Sequence, residues 1–137
     1  HKRRTDNFIY AKVRYKIFIE YDVDTTLAKP IYLNVAYLEN ILSSFIEQSC
    51  MDIIKKELKK GKIQKQIDVN VSVSKSNISL VVKNNGFEVK NIYNLYLSDV
   101  DNKAILEAKN LANMLNAKFE IITLENEGMQ YSLNIKI

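Results

Sequence analysis

The sequence predicts an α+β domain built as a two-layer sandwich, a single sheet with helices on one of its faces. Three observations point there. Apolar residues alternate with period two in several short runs. They recur with a helical period in two longer ones. The two patterns follow one another in the order strand, helix, two strands, loop, helix, two strands. Elements that are apolar on one side only bury those sides by stacking a sheet against helices.

Val13, Tyr15, Ile17, Ile19 and Tyr21 alternate as one buried face of a strand. The polar stretch from Asp22 to Pro30, ending in the only proline, reads as a loop. The period then changes. Val35, Leu38, Leu42, Phe45, Ile46 and Ile53 fall on one stripe of a long helix expected to run to about Lys59, with Gly61 as its stop. Ile67, Val69, Val71 and Val73, a turn at Ser74 to Asn77, and Ile78, Leu80 and Val82 make a hairpin whose second arm ends in the turn chemistry of Asn84-Asn85-Gly86. Val89, Ile92, Leu95 and Tyr96 suggest a short helix, followed by a loop from Ser98 to Asn102. Ala104, Ala108, Leu111, Ala112 and Leu115 share a face of a second helix. Phe119, Ile121 and Thr123 pair with Tyr131, Leu133, Ile135 and Ile137 around Glu127-Gly128.

Composition narrows the function classes. At 137 residues and 47% apolar, the chain suffices for one core, so residues 10–137 are expected to form a single domain and residues 1–9 a disordered, tag or linker segment. No run approaches the ~20 apolar residues of a membrane helix. His1-Lys2-Arg3-Arg4 leads into no apolar signal segment, so a cytoplasmic location is expected. With Cys50 as the sole cysteine, an internal disulfide or cysteine metal cluster is excluded, and Cys50 reads as core filler. His1 is the only histidine, which leaves no histidine-based triad. Asp22-Val23-Asp24 has no further metal-ligand pattern after it and reads as a solvated loop. The net charge of +4 owes much to Lys55, Lys56, Lys59, Lys60, Lys62 and Lys65, read as a solvated helix end whose cations complement the negative dipole pole. Without an aromatic platform or reader motif beside them, no nucleic-acid partner is expected.

Leu38-Glu39-Asn40-Ile41-Leu42-Ser43-Ser44-Phe45-Ile46-Glu47-Gln48-Ser49, with Asn116-Ala117-Lys118-Phe119-Glu120-Ile121 and Glu127-Gly128-Met129-Gln130-Tyr131, carries a further signal. In its element order and these two signatures the chain resembles the GHKL, or Bergerat-fold, ATPase domain of bacterial sensor histidine kinases, over roughly Tyr10 to Ile137. The resemblance implies a mixed, mostly antiparallel sheet and four short elements that hold ATP and Mg²⁺.

In the first of these, the N-box helix, Gln48 falls where the family places its Mg²⁺-holding asparagine, and Ser44 where a second asparagine is usual. Asn40, Ser44, Gln48 and Asp52 form a polar ridge at i, i+4 spacing, expected as a helix flank touching solvent. Asn84-Asn85-Gly86-Phe87-Glu88 stands in place of a D-x-G-x-G turn: Asn84 replaces the adenine-reading aspartate, Gly86 is kept, and Glu88 brings bulk and negative charge where the second glycine would lie. At the glycine-rich lid the chain offers Asp101-Asn102-Lys103-Ala104, and no glycine occurs between Gly86 and Gly128. Met129, which cannot donate a hydrogen bond, replaces a threonine of the adenine network. Missing polar contacts of this kind cost roughly 1–3 kcal/mol each. Two such losses would move a micromolar site to near millimolar.

The sequence therefore points to a degenerate histidine-kinase ATPase-like domain, without catalytic residues or a required cofactor. It would act through protein contacts with a dimerisation domain, a response regulator or its own copy. The alternatives are a working ATP-binding kinase domain with divergent motifs, and an unrelated α+β interaction module.

Overall fold

The computed structural model describes residues 2–4, 17–25, 34–90 and 103–137. Their order is β1 (Lys2–Arg4), β2 (Phe18–Thr25), α1 (Val35–Lys60), β3 (Gln66–Val73), β4 (Asn77–Asn84), α2 (Lys103–Met114), β5 (Lys118–Leu124) and β6 (Gly128–Lys136). The six strands form one sheet in the order β1-β2-β3-β4-β6-β5. All neighbouring pairs are antiparallel except β2 and β3, which run parallel and are joined through α1. A mixed, mostly antiparallel sheet packed against helices is the architecture the sequence implies.

Strand register lines the inward side chains into rows. Tyr21, Val69, Val82, Tyr131 and Ile121 stand opposite one another across five strands, and all five are buried. The next row is Ile19, Ile67, Asn84, Met129 and Thr123, so two polar side chains, Asn84 and Thr123, flank Met129 in it. Phe45 of α1 comes down onto the sheet with its ring 5.8 Å from Phe119 and 5.9 Å from Tyr131. α2 packs against α1, and its buried residues are Ala104, Ile105, Ala108 and Ala112. Three of those are alanines, whose short side chains allow close helix approach.

Local chemistry sets the element ends. Asn34 caps α1, its Oδ1 accepting from the Tyr37 amide at 3.1 Å. Gly61, at φ 83°, lets its own amide bond back to the Glu57 carbonyl and stops the helix. α2 ends through Asn116 at φ 53°, with the Ala117 amide bonded to the Ala112 carbonyl.

Several expectations need correction. Lys2–Arg4, within the 1–9 segment expected as disordered, tag or linker residues, forms a short strand paired with β2. Asp22–Thr25 continues β2 instead of opening a loop, because β3 offers a parallel ladder out to Val73 that satisfies its backbone. Val35 is 58% exposed and Ile137 42% exposed, so both lie off the buried faces assigned to them. Val89 is not helical. The rest of the expected short helix and the loop to Asn102 fall outside the described residues.

Candidate functional site

The polar ridge of α1 is where sequence and structure part most. Asn40 is exposed, but Ser44, Gln48 and Asp52 are buried, as is Ser49. α1 lies over the end of β4, and the ridge expected to touch solvent faces the sheet there. The correction has a clear cause: a helix that packs on a sheet and on a second helix covers more than its apolar stripe, and the flank nearest the sheet is covered too.

Asp52 is the centre of this flank, 4% exposed. Three neutral donors hold its carboxylate. The hydroxyl of Tyr131 and Nδ2 of Asn84 (3.2 Å) donate to Oδ2, and Nε2 of Gln48 donates to Oδ1 at 3.4 Å. Burial pushes the Asp52 carboxyl up to about 6, against the opposing pull of the hydrogen bonds from Tyr131, Gln48 and Asn84 and the positive charge of Lys55. Burial, with the Asp52 charge and hydrogen bond behind it, raises the Tyr131 hydroxyl well above its ordinary value. Gln48 Oε1, an acceptor, and Ser49 Oγ, which can both donate and accept, are buried here without a hydrogen-bond partner. Cys50, on the same helix, is also raised, to about 11, by burial and then by the charges of Glu47 and Asp52; such a thiol stays protonated at neutral pH and is a poor nucleophile.

The turn after β4 is fastened to this cluster. Asn84 Oδ1 accepts from the Gly86 amide at 2.7 Å, and the Phe87 amide donates to the Asp52 backbone carbonyl at 2.8 Å. Gly86 is pressed onto the helix: a Cβ there would lie 2.5 Å from the Asp52 carbonyl carbon and 2.6 Å from the Ile53 nitrogen. Lys56 donates to the Asn85 carbonyl at 3.1 Å. Asn85 in turn accepts from the Gln66 amide at 3.0 Å, tying the turn to the start of β3.

Of the residues the sequence singles out, Gln48, Asn84 and Gly86 come together around Asp52, with Ser44 one turn away on α1. Met129 is fully buried beside Asn84, and its sulfur accepts from the Val89 amide at 3.4 Å. Glu88 points elsewhere: its Oε1 accepts from the Asn126 amide at 2.7 Å and braces the β5–β6 turn. Asn102 lies outside the described residues. Sequence reasoning passed over Asp52 as a functional group and took Tyr131 only as part of a strand signature. The signals were present: Asp52 completes the i, i+4 ridge, and Tyr131 sits on the inward phase of β6. Among the described residues, no group of three histidine, cysteine, aspartate or glutamate side chains is placed to hold a metal ion.

The topology has counterparts among known structures. The catalytic domain of the histidine kinase ThkA superposes with a TM-score of 0.67 at 10% identity, covering 94% of this chain and 84% of that one. The fold is that of a histidine-kinase catalytic domain. AdeS, a histidine kinase of Acinetobacter baumannii, gives 0.68 at 15% identity over 95% of this chain and 58% of its own. The blue-light activated histidine kinase EL346 of Erythrobacter litoralis gives 0.59 at 11% identity over 85% of this chain and 35% of its own. This chain thus spans little more than half of AdeS and about a third of EL346. No family model and no curated protein matches the sequence. Within this histidine-kinase-type fold, the Asp52 cluster lies where α1 meets the turn after β4. None of the helices among the described residues is long and apolar enough to cross a membrane.

Proposed function

We propose that this chain is a histidine-kinase ATPase-like domain whose nucleotide motifs have eroded, and that it serves two-component signalling in the cytoplasm through protein–protein contacts. One observation carries the reading. Asn84, which the resemblance aligns with the adenine-reading aspartate, has both ends of its amide spent inside the protein, Nδ2 on Asp52 and Oδ1 on the Gly86 amide. Asp52 in turn is held by Tyr131 and Gln48. The side chain that would read a base is instead hydrogen-bonded within a cluster around a buried carboxylate.

ATP and Mg²⁺ are the ligands the resemblance implies, and the side chains fit them poorly. Gln48 already donates to Asp52, Glu88 braces a turn, and Met129 supplies a thioether where a hydroxyl is usual. A buried carboxylate with no cation in contact also disfavours a polyphosphate beside it. A dimerisation domain, a response regulator or a second copy of the chain is the expected partner class. Calorimetric titration with Mg-ATP is the test. The reading expects no saturable heat up to millimolar nucleotide, and saturable micromolar binding would overturn it.

A second reading, a working ATP-binding kinase domain, draws on Gln48 Oε1, a buried acceptor with no donor. It expects Mg-ATP to raise the melting temperature and Asn84→Ala to abolish that rise.

A further inference from the structure

We infer that the C-terminal end of α1, with Leu58 at its centre, is the docking surface for an acidic protein segment that carries an apolar anchor. The inference rests on the protein-contact reading above and names the surface and the partner's chemistry. Leu58 is 82% exposed in the last turns of α1, and Lys55, Lys59, Lys60 and Lys62 around it are exposed as well. Glu57, the one carboxylate of this stretch, is taken by Lys65 at 2.6 Å. No carboxylate among the described residues pairs with Lys55, Lys56, Lys59, Lys60 or Lys62.

The helix dipole accounts for Lys59 and Lys60 in the last turn. It does not account for Lys55 and Lys56 before it, or for an exposed leucine among them. Phe87 gathers two of these cations, with Lys59 Nζ 4.3 Å and Lys55 Nζ 5.4 Å from its ring centre. Lys56 reaches the neighbouring Asn85 carbonyl. Positive charge is thereby concentrated on one side of the Asn85–Phe87 turn, with no salt bridge from an exposed carboxylate among the described residues. A single exposed aliphatic side chain beside a row of cations complements a segment whose apolar residue is flanked by aspartate or glutamate.

Two other anionic partners fit less well. Nucleic acid is read by arginine forks and open aromatic faces. The stretch contains no arginine, and ammonium groups sit over the Phe87 ring. A lipid surface needs an apolar helix face, and the opposite face of α1 is buried in the core while Leu58 stands alone.

The probe is a fluorescein-labelled peptide of glutamates with leucine at every fourth position, followed by fluorescence anisotropy on the full chain. Saturable binding that weakens with salt is expected. Lys59→Glu with Lys62→Glu should weaken it at least about tenfold, the scale of losing two close charge pairs. Leu58→Ala should weaken it as well, and Lys136→Glu, on β6, should leave it unchanged. If the reversal variant fails a circular-dichroism check of folding, Lys59→Gln with Lys62→Gln takes its place, with a smaller loss in the same direction. Three results overturn the inference: no saturable binding, equal loss in Lys136→Glu, or comparable affinity for a leucine-free polyglutamate, a DNA duplex or anionic vesicles. Mg-ATP titration of the same sample reports on the protein-contact reading separately, since nucleotide binding sinks that reading whatever the peptide does.

Discussion

Tyr131, in the middle of β6, donates its hydroxyl to the carboxylate of Asp52, a residue 79 positions earlier on α1. This contact joins the long helix to a central strand through a charged group that water barely reaches. Its donors are neutral: a phenol and two amides. A buried carboxylate without a cation in contact lowers stability unless its hydrogen bonds offset the lost hydration. The rise of its titration to about 6 says that they offset it only in part.

Asp52→Asn should therefore stabilise the domain. The amide oxygen can keep the bonds from Tyr131 and Asn84, and the amide nitrogen can donate to Gln48 Oε1, which has no donor in the wild-type chain. A gain of about 1–3 kcal/mol at pH 8 is expected, on the scale of roughly 1.4 kcal/mol per unit of pKa shift. Urea denaturation checks it, and a clear loss of stability would show that the charge itself is needed.

The same group fixes a pH dependence of unusual sign. Asp52 titrates near 6 when folded and near 3.8 when unfolded, so the folded chain binds the extra proton between those values. Its contribution to stability is best below about pH 4 and is lost as pH rises through 6. Relative to Asp52→Asn, the wild-type chain should close most of its stability deficit between pH 7 and pH 4.5, an effect of about 3 kcal/mol at most. Parallel denaturation curves at the two pH values measure this; a constant gap would mean that Asp52 keeps an ordinary titration.

Tyr131→Phe removes the hydroxyl donor and leaves the ring in the core against Phe45. A hydrogen bond to a charged group is worth about 1.5–3 kcal/mol, so a loss of that size is expected at pH 8. The loss should shrink at pH 4.5, where the carboxyl is protonated and needs fewer donors. Equal losses at both values would mean that the hydroxyl does not serve the charge.

Gly128→Ala should cost at least about 3 kcal/mol, the range of backbone strain combined with overpacking. Gly128 has φ 136°, and a Cβ there would lie 1.9 Å from the Asn84 carbonyl oxygen. That carbonyl belongs to the strand end that carries the Asp52 cluster, so the variant should also disturb Tyr131, visible in near-ultraviolet circular dichroism. Gly61→Ala, where a Cβ meets nothing within 4 Å, is the control and should cost less.

Asn34→Ala deletes the α1 cap, in which Oδ1 accepts from the Tyr37 amide. A loss of about 1 kcal/mol is expected, measurable as a lower melting temperature. Asn34→Asp should preserve stability, since the shape is kept and a negative charge suits a helix start.

The two hairpins and the two helices among the described residues were legible in the sequence because their periods are local properties. The ends of β3, β4, β5 and β6 follow from turn residues such as Gly128 and from alternation such as Tyr131, Leu133, Ile135. The extension of β2 through Asp22 to Thr25 was not legible, because those residues look like a loop until β3 lies beside them in parallel. Gln48, Asn84 and Gly86 were each singled out, but what they surround was not. Asp52 sits 32 residues from Asn84 and 79 from Tyr131, and helix periodicity gives the angle of a flank without saying which flank the sheet will cover.

The parallel pairing of β2 and β3 sets β2 apart from the strands closed by short turns. Hairpins such as β3–β4 and β5–β6 close through short turns, but β2 can join only after the whole of α1 has crossed from one strand to the other. The helix that carries Asp52 is thus the covalent tether between the two parallel strands. A chain lacking β2 would still hold two ready-made hairpins, yet it would present the outer edge of β3 as an open ladder to whatever strand arrives first.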